Sequence, residues 1–253
     1  MIERTFFSFL LWGWFALAVA TLVVLLFVTA PYGRHRRSGW GPAIGDKWGW
    51  VLMEAPASLG LVACFLSADV PYSGTMIAFL ALWQVHYVYR AFIYPLVVRR
   101  DEGQMPVAVV VLGIFFNLVN TYLNGRYLYH FSGGYRDTWL LDPRFLIGTV
   151  VFLTGLLSNL QADHTLRELR KPGESGYQIP HGGLFRWVSC PNYLGEIVEW
   201  IGWAIATWSI SGAAFAVWTI ANLAPRARSH HEWYRRRFPN YPDDRKALVP
   251  GIW

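Results

Sequence analysis

The chain has 253 residues, 54% hydrophobic and 15% charged, with 14 tryptophans and a formal net charge of +6. That is too apolar and too aromatic for an ordinary water-soluble domain, and two cysteines, Cys64 and Cys190, without metal or redox spacing imply packing rather than a disulfide framework. The basic excess suits anionic lipid headgroups, with Arg235 to Arg237 as candidates, whereas a membrane bundle of this kind is not expected to bind nucleic acid.

The first apolar run, about residues 6–30, exceeds a signal-peptide core and lacks a small-residue cleavage site, so a retained transmembrane helix is expected. Further runs of near-spanning length follow at about 49–69, 74–98, 105–124, 145–162, 193–209 and 211–224, the last two separated by Ser209-Ile210-Ser211-Gly212, read as a tight turn. The expected fold is an all-α integral membrane protein: a seven-transmembrane-helix bundle, residues 1–253 forming one polytopic domain. No internal repeat, Walker A sequence or G-x-G-x-x-G turn is present, so any nucleotide is held by another device.

Lysines and arginines gather in the segments that this count places on one side, seventeen against four, with Arg90 inside a span. Short cytoplasmic loops carry the positive charge. The N-terminus is therefore expected outside and the C-terminal tail in the cytosol. The membrane is the endoplasmic reticulum in a eukaryote or the inner membrane in a bacterium.

An ionisable side chain at mid-bilayer costs about 3 kcal/mol, so it persists where it pairs, faces a wet cavity or binds something polar. Glu54 lies a few residues into the second run, and His86, Tyr87 and Arg90 lie deep in the third, among Trp83, Tyr89 and Phe92. A desolvated carboxyl there stays protonated and can donate, and a phenol in a dry pocket suits a carbonyl becoming an enolate. A helix-start carboxylate and a packing tyrosine are the plainer alternatives. Asn117, Asn120 and Asn124 share part of one face of the fourth run and suit interhelical hydrogen bonding.

The last hundred residues are the most polar part of the apolar sequence. At about 100° per residue, Asn159, Asp163, Arg167 and Arg170 share one helix face, Asn192, Glu196 and Glu199 another, and Arg226, His230 and Tyr234 a third. Amides and carboxylates suit ribose hydroxyls and a carboxamide, while arginines suit phosphates, which together suggest a dinucleotide. Structural ion pairs, Asp163 with Arg167 and Glu196 with an arginine elsewhere, are the alternative. The His231-Glu232 pair lacks the second histidine of H-E-x-x-H, since residue 235 is Arg, so no metal is expected.

Several segments carry a family resemblance. Leu166-Arg167-Glu168-Leu169-Arg170-Lys171-Pro172-Gly173-Glu174, Tyr177-Gln178-Ile179-Pro180, Gly182-Gly183-Leu184-Phe185, Asn192 through Trp200, and His230-His231-Glu232-Trp233-Tyr234 through Pro250 resemble the membrane steroid 5α-reductases. The likeness is dense from about residue 155 onward, and Met53-Glu54-Ala55-Pro56 and His86-Tyr87-Val88-Tyr89-Arg90 stand in register upstream. The resemblance implies NADPH-dependent reduction of the Δ4 double bond of a 3-oxo-steroid, with Glu54 and Tyr87 as catalytic residues on the C3 carbonyl. It implies a cofactor set of Asn159, Asp163, Arg167, Arg170, Tyr177, Asn192, Glu196, Glu199, Arg226, His230 and Tyr234, with Tyr32 and Arg90 as weaker members. Residues 1–124 would form mainly the steroid pocket and 145–253 mainly the NADPH pocket. The expected partners are a steroid or sterol-like lipid and membrane lipids, with no protein partner implied. Met53, where the family often has Gln, is a departure that bears on substrate preference, and Gln178 stands where a basic residue is familiar. A reductase of another lipid enone or enoyl thioester, an isoprenylcysteine-type methyltransferase using S-adenosylmethionine, and a transporter are the competing readings.

Overall fold

A computed structural model describes residues 2–29, 35, 39, 41–97, 103–169 and 176–253. Tyr32, Arg170 and the Lys171-Pro172-Gly173 turn lie outside the described residues. Eight helices are present among them: α1 (Ile2–Phe27), α2 (Asp46–Leu66), α3 (Gly74–Val88), α4 (Tyr94–Val97), α5 (Val107–Arg126), α6 (Pro143–Glu168), α7 (Pro191–Thr207) and α8 (Ile210–Arg237). The only strands among the described residues are β1 (Ala43–Gly45) and β2 (Gln104–Pro106), an antiparallel ribbon.

Five of these stretches are long and apolar enough to cross a membrane: Ile2–Phe27, Asp46–Leu66, Gly74–Val97, Val107–Phe131 and Pro143–Glu168. The third is α3 and α4 joined through a wide π-turn at Tyr89–Ile93, and a second π-turn, Tyr127–Phe131, extends α5. The expected sixth and seventh runs are helical too. α7 has 17 residues, and α8 carries its apolar half first and a basic half after it. The turn between them is tighter and earlier than the sequence suggests. Trp208, at φ 45°, ends α7 in the left-handed region, and Ser209 caps α8 by accepting from Gly212 N at 2.9 Å, so Ser211 and Gly212 are already helical.

The chain forms two compact units, one of residues 1–11 and 31–146, the other of 12–30 and 147–253. In the first, α2 and α5 run side by side in parallel. Gly60 and Gly125 permit this approach, since a Cβ on Gly60 would lie 2.9 Å from Thr121 Cγ2, and one on Gly125 2.7 Å from Cys64 Sγ. Met53 lies over Gly113 in the same seam. α3 runs antiparallel to α2 and is tied to it by polar contacts: Trp83 Nε1 donates to Ala57 O at 2.9 Å, Gln84 Nε2 to Ser58 O at 2.8 Å, and Trp50 Nε1 to Arg90 O at 2.9 Å. In apolar surroundings these replace water as partner for groups that are costly to leave unpaired.

The second unit is built on a glycine seam. Gly148 and Gly155 of α6 interleave with Gly202 and Gly195 of α7, each pressed against the other helix's backbone; a Cβ on Gly195 would sit 2.6 Å from Asn159 N. Small residues let membrane helices approach without hydrophobic driving force between them. Across this packing Phe152 meets Trp200 edge-on, 5.9 Å between ring centroids, and Phe215 lies tilted against Trp200 at 4.1 Å. Trp218 Nε1 donates to Trp14 O at 2.8 Å and holds the second part of α1 against α8.

Candidate functional site

Two polar clusters stand out, one in each unit. In the first, residue 50 faces 90, 57 faces 83 and 58 faces 84, so the antiparallel register sets Glu54 of α2 at the level of His86 and Tyr87 of α3. Tyr87 is buried at 3% exposure, with Trp83 tilted against it at 4.9 Å and His86 meeting it edge-on at 4.9 Å. Glu54 is half-buried and accepts from Asn117 Nδ2 at 3.2 Å. The same nitrogen donates to Met53 O at 2.7 Å. Asn117 is thus the interhelical donor that its place on the fourth run suggests, whereas Asn124 turns back to Asn120 O and Oδ1 within α5. Arg90 is the second residue of the wide turn after Tyr87, and its guanidinium lies 5.0 Å from the ring centroids of both Trp50 and Tyr94.

The second cluster joins α6, α7 and α8. Asn159 Nδ2 donates to Asn192 O at 2.9 Å, and Asn192 Nδ2 donates to Asp163 Oδ1 at 3.2 Å. Asn159 and Asp163 are buried. Across α7, Arg226 Nη2 donates to Tyr193 Oη at 2.9 Å, and His230 Nε2 lies 3.0 Å from the same oxygen. Arg226 Nη1 reaches Asn222 Oδ1 at 3.1 Å. These contacts bring together Asn159, Asp163 and Asn192 as one group and Arg226 and His230 as another. Glu196 is half-buried one turn along α7, and Glu199 is fully buried beside the Gly155 crossing. Arg167 Nη2 donates to His164 Nδ1 at 2.6 Å and its Nε lies 3.8 Å from Glu168 Oε1, both on its own helix. Tyr177 packs edge-on against Trp233, 4.9 Å between centroids, and Tyr234 is buried, stacked between Phe238 and Tyr241.

Sequence reasoning misses two groups here. Tyr193 joins Arg226 to His230, yet it reads in sequence as one more aromatic of an apolar helix. Ser189, His231, Tyr241 and Arg245 form a network under the C-terminal segment: Ser189 Oγ lies 2.6 Å from both His231 Nδ1 and Tyr241 Oη, and the buried Arg245 lies 5.0 Å over the Tyr241 ring. Burial, followed by the nearby Arg235 charge, holds the His231 imidazole below its usual range. Backbone bonds from Ser189 N to Lys246 O and from Lys246 N to Trp187 O, both 2.8 Å, lay residues 246–247 beside 187–190, just ahead of Asn192.

Comparison with known proteins places this architecture. The profile of the 3-oxo-5-alpha-steroid 4-dehydrogenase family matches residues 103–253. The chain is 42% identical over 255 residues to the steroid 5-alpha-reductase of Gossypium hirsutum, covering 99% of each chain. It is 43% identical over 242 residues to 3-oxo-5-alpha-steroid 4-dehydrogenase 1 of Bos taurus, covering 94% of this chain and 93% of the other. It is 44% identical over 224 residues to the enzyme of the same name from Homo sapiens, covering 88% and 86%. With its membrane-length helices and such coverage, the chain belongs to the 3-oxo-5-alpha-steroid 4-dehydrogenase family of multi-pass membrane oxidoreductases.

Proposed function

We propose that the protein reduces the Δ4 double bond of 3-oxo-Δ4-steroids to 5α-dihydrosteroids with NADPH. The observation that carries this reading is the end-to-end similarity to proteins named as steroid 5-alpha-reductases, joined to a polar seam in the half of the chain where the family likeness is densest. The donor set fits NADPH: Asn159, Asp163 and Asn192 offer amide and carboxylate groups for hydroxyls and a carboxamide, and Arg226 offers a guanidinium for phosphate. Arg167, Arg170, Tyr177, Glu196, Glu199, His230 and Tyr234 complete the proposed set, Arg170 on sequence grounds alone.

When bound, NADPH supplies the hydride that C5 of the steroid accepts. Negative charge then develops on the C3 ketone oxygen, and the Tyr87 hydroxyl, supported by Glu54, donates a hydrogen bond to that oxygen most strongly as the charge appears; the enolate then takes up one solvent proton at C4, which restores the ketone and completes the addition of two hydrogens. Trp83 and His86 against the Tyr87 ring exclude water, which strengthens that hydrogen bond. In this reading α7 and the first half of α8 complete seven spans, with the N-terminus outside and the basic tail in the cytosol beside the NADPH supply.

The test is conversion of testosterone or progesterone by purified protein in detergent with NADPH, the product identified by mass spectrometry. The expected product is two hydrogens heavier with 5α stereochemistry. Glu54→Gln and Tyr87→Phe should each lower kcat by about 10²–10³ while leaving NADPH binding intact, whereas Arg170→Ala should weaken NADPH binding first. Equal loss of NADPH binding in all three variants would contradict the division of roles. A protein that binds NADPH and reduces neither steroid would point to another lipid enone, and one that binds S-adenosylmethionine instead would overturn the reductase reading.

A further inference from the structure

Asn117 is 3% exposed on α5, and its amide nitrogen makes two contacts with the facing helix, 2.7 Å to Met53 O and 3.2 Å to Glu54 Oε2. The first contact fixes the side chain. Pro56 in α2 has no N–H to give the carbonyl of Leu52, four residues earlier, so the helix is least constrained by its own ladder beside Met53. A donor from α5 at that point anchors the backbone carrying Glu54, and the same amide then selects one carboxyl oxygen. In a neutral carboxylic acid the carbonyl oxygen is the good acceptor and the hydroxyl oxygen the donor. With Oε2 accepting from Asn117, the acid proton belongs on Oε1.

We infer that Asn117 is a positioning residue of the reaction: it turns the Glu54 carboxyl so that Oε2 accepts from α5 and Oε1 carries the proton, which it offers as a hydrogen bond without giving it up. The inference rests on the proposed catalytic role of Glu54 and deepens it. Asn117 acts through Glu54 alone, with no part in holding the cofactor. A plain brace for α2 would support the same contacts, but it would act whether or not residue 54 is an acid.

The deciding experiment is a double-mutant cycle on steroid turnover, with NADPH affinity and thermal midpoint measured on every variant. Asn117→Leu, close in volume and without donors, is expected to lower kcat about tenfold, the equivalent of one hydrogen bond realised in the transition state, with the KM for NADPH unchanged. In a Glu54→Ala background, which leaves no carboxyl for Asn117 to turn, the same substitution is expected to change the residual kcat less than twofold. Asn117→Gln, which keeps an amide, should recover part of the loss. Should Asn117→Leu fail to accumulate, Asn117→Thr carries the same comparison. An equal loss in both backgrounds, or a Glu54→Gln defect beside a fully active Asn117→Leu, overturns the inference and leaves the role of Glu54 standing. A fully active Glu54→Gln removes that role, and the inference falls with it.

Discussion

Tyr193 shows what a residue's identity hides until its neighbours are known. Its hydroxyl meets Arg226 Nη2 at 2.9 Å and His230 Nε2 at 3.0 Å, while the Arg226 guanidinium also lies 5.1 Å over its ring. Tyr193→Phe keeps the ring contact and deletes the oxygen. With each lost hydrogen bond worth about 1 kcal/mol, the expected outcome is a roughly fivefold to tenfold rise in the NADPH dissociation constant with little change in thermal midpoint, read by fluorescence titration. Asn159, Asp163 and Asn192 were legible because polar side chains repeated at helical spacing in an apolar run mark a face turned away from lipid. Tyr193 was not, since tyrosine is ordinary in such helices and only the position of α8 gives its hydroxyl partners. Ser189 and Arg245 escaped for a related reason: they stand 56 positions apart and meet through the fold-back of the last segment onto residues 187–190.

At the scale of elements, the apolar runs located the helices, and the irregularities escaped them. Composition does not mark the wide turns at Tyr89–Ile93 and Tyr127–Phe131, because a π-turn differs from the helix around it by one hydrogen-bond spacing, not by residue type. The α7–α8 turn was shifted by one capping choice: Ser209 caps, so Trp208 takes the left-handed position that a glycine usually fills. Close packing of α6 on α7 depends on glycines that carry no signal in an apolar run. Gly195→Ala would place its Cβ 2.6 Å from Asn159 N, a backbone atom that cannot swing aside. The expected cost is about 1–3 kcal/mol of stability, seen as a lower thermal midpoint, together with weaker NADPH binding as Asn159 and Asn192 part. Gly13→Ala, whose Cβ would meet nothing within 4 Å, should leave both unchanged.

For the molecule as a whole, contacts between helix ends define which ends share a side. In the first unit Glu3, at the start of α1, forms a two-pronged pair with Arg126 at the end of α5, both contacts 2.8 Å. Asp69, after α2, meets His130 beyond α5 at 2.7 Å, and Gly74 N, at the start of α3, donates to Asp137 Oδ1 at 2.6 Å. The β1–β2 ribbon joins the starts of α2 and α5. This is the alternation that consecutive membrane crossings require, and it was readable in advance from run lengths; the proposed orientation comes from the charges. A glycosylation acceptor engineered after Arg136, expressed in a eukaryotic cell, should be modified, and one placed after Arg237 should not. The reverse pattern would invert the orientation. The wide turn after Tyr87 bears on how roles pass between relatives. It is equivalent to one extra residue within a helix, so a relative lacking it aligns with a single-residue gap between 89 and 93. Any role transferred by counting onward from Tyr87 would then fall one position out, on a side chain pointing about 100° away.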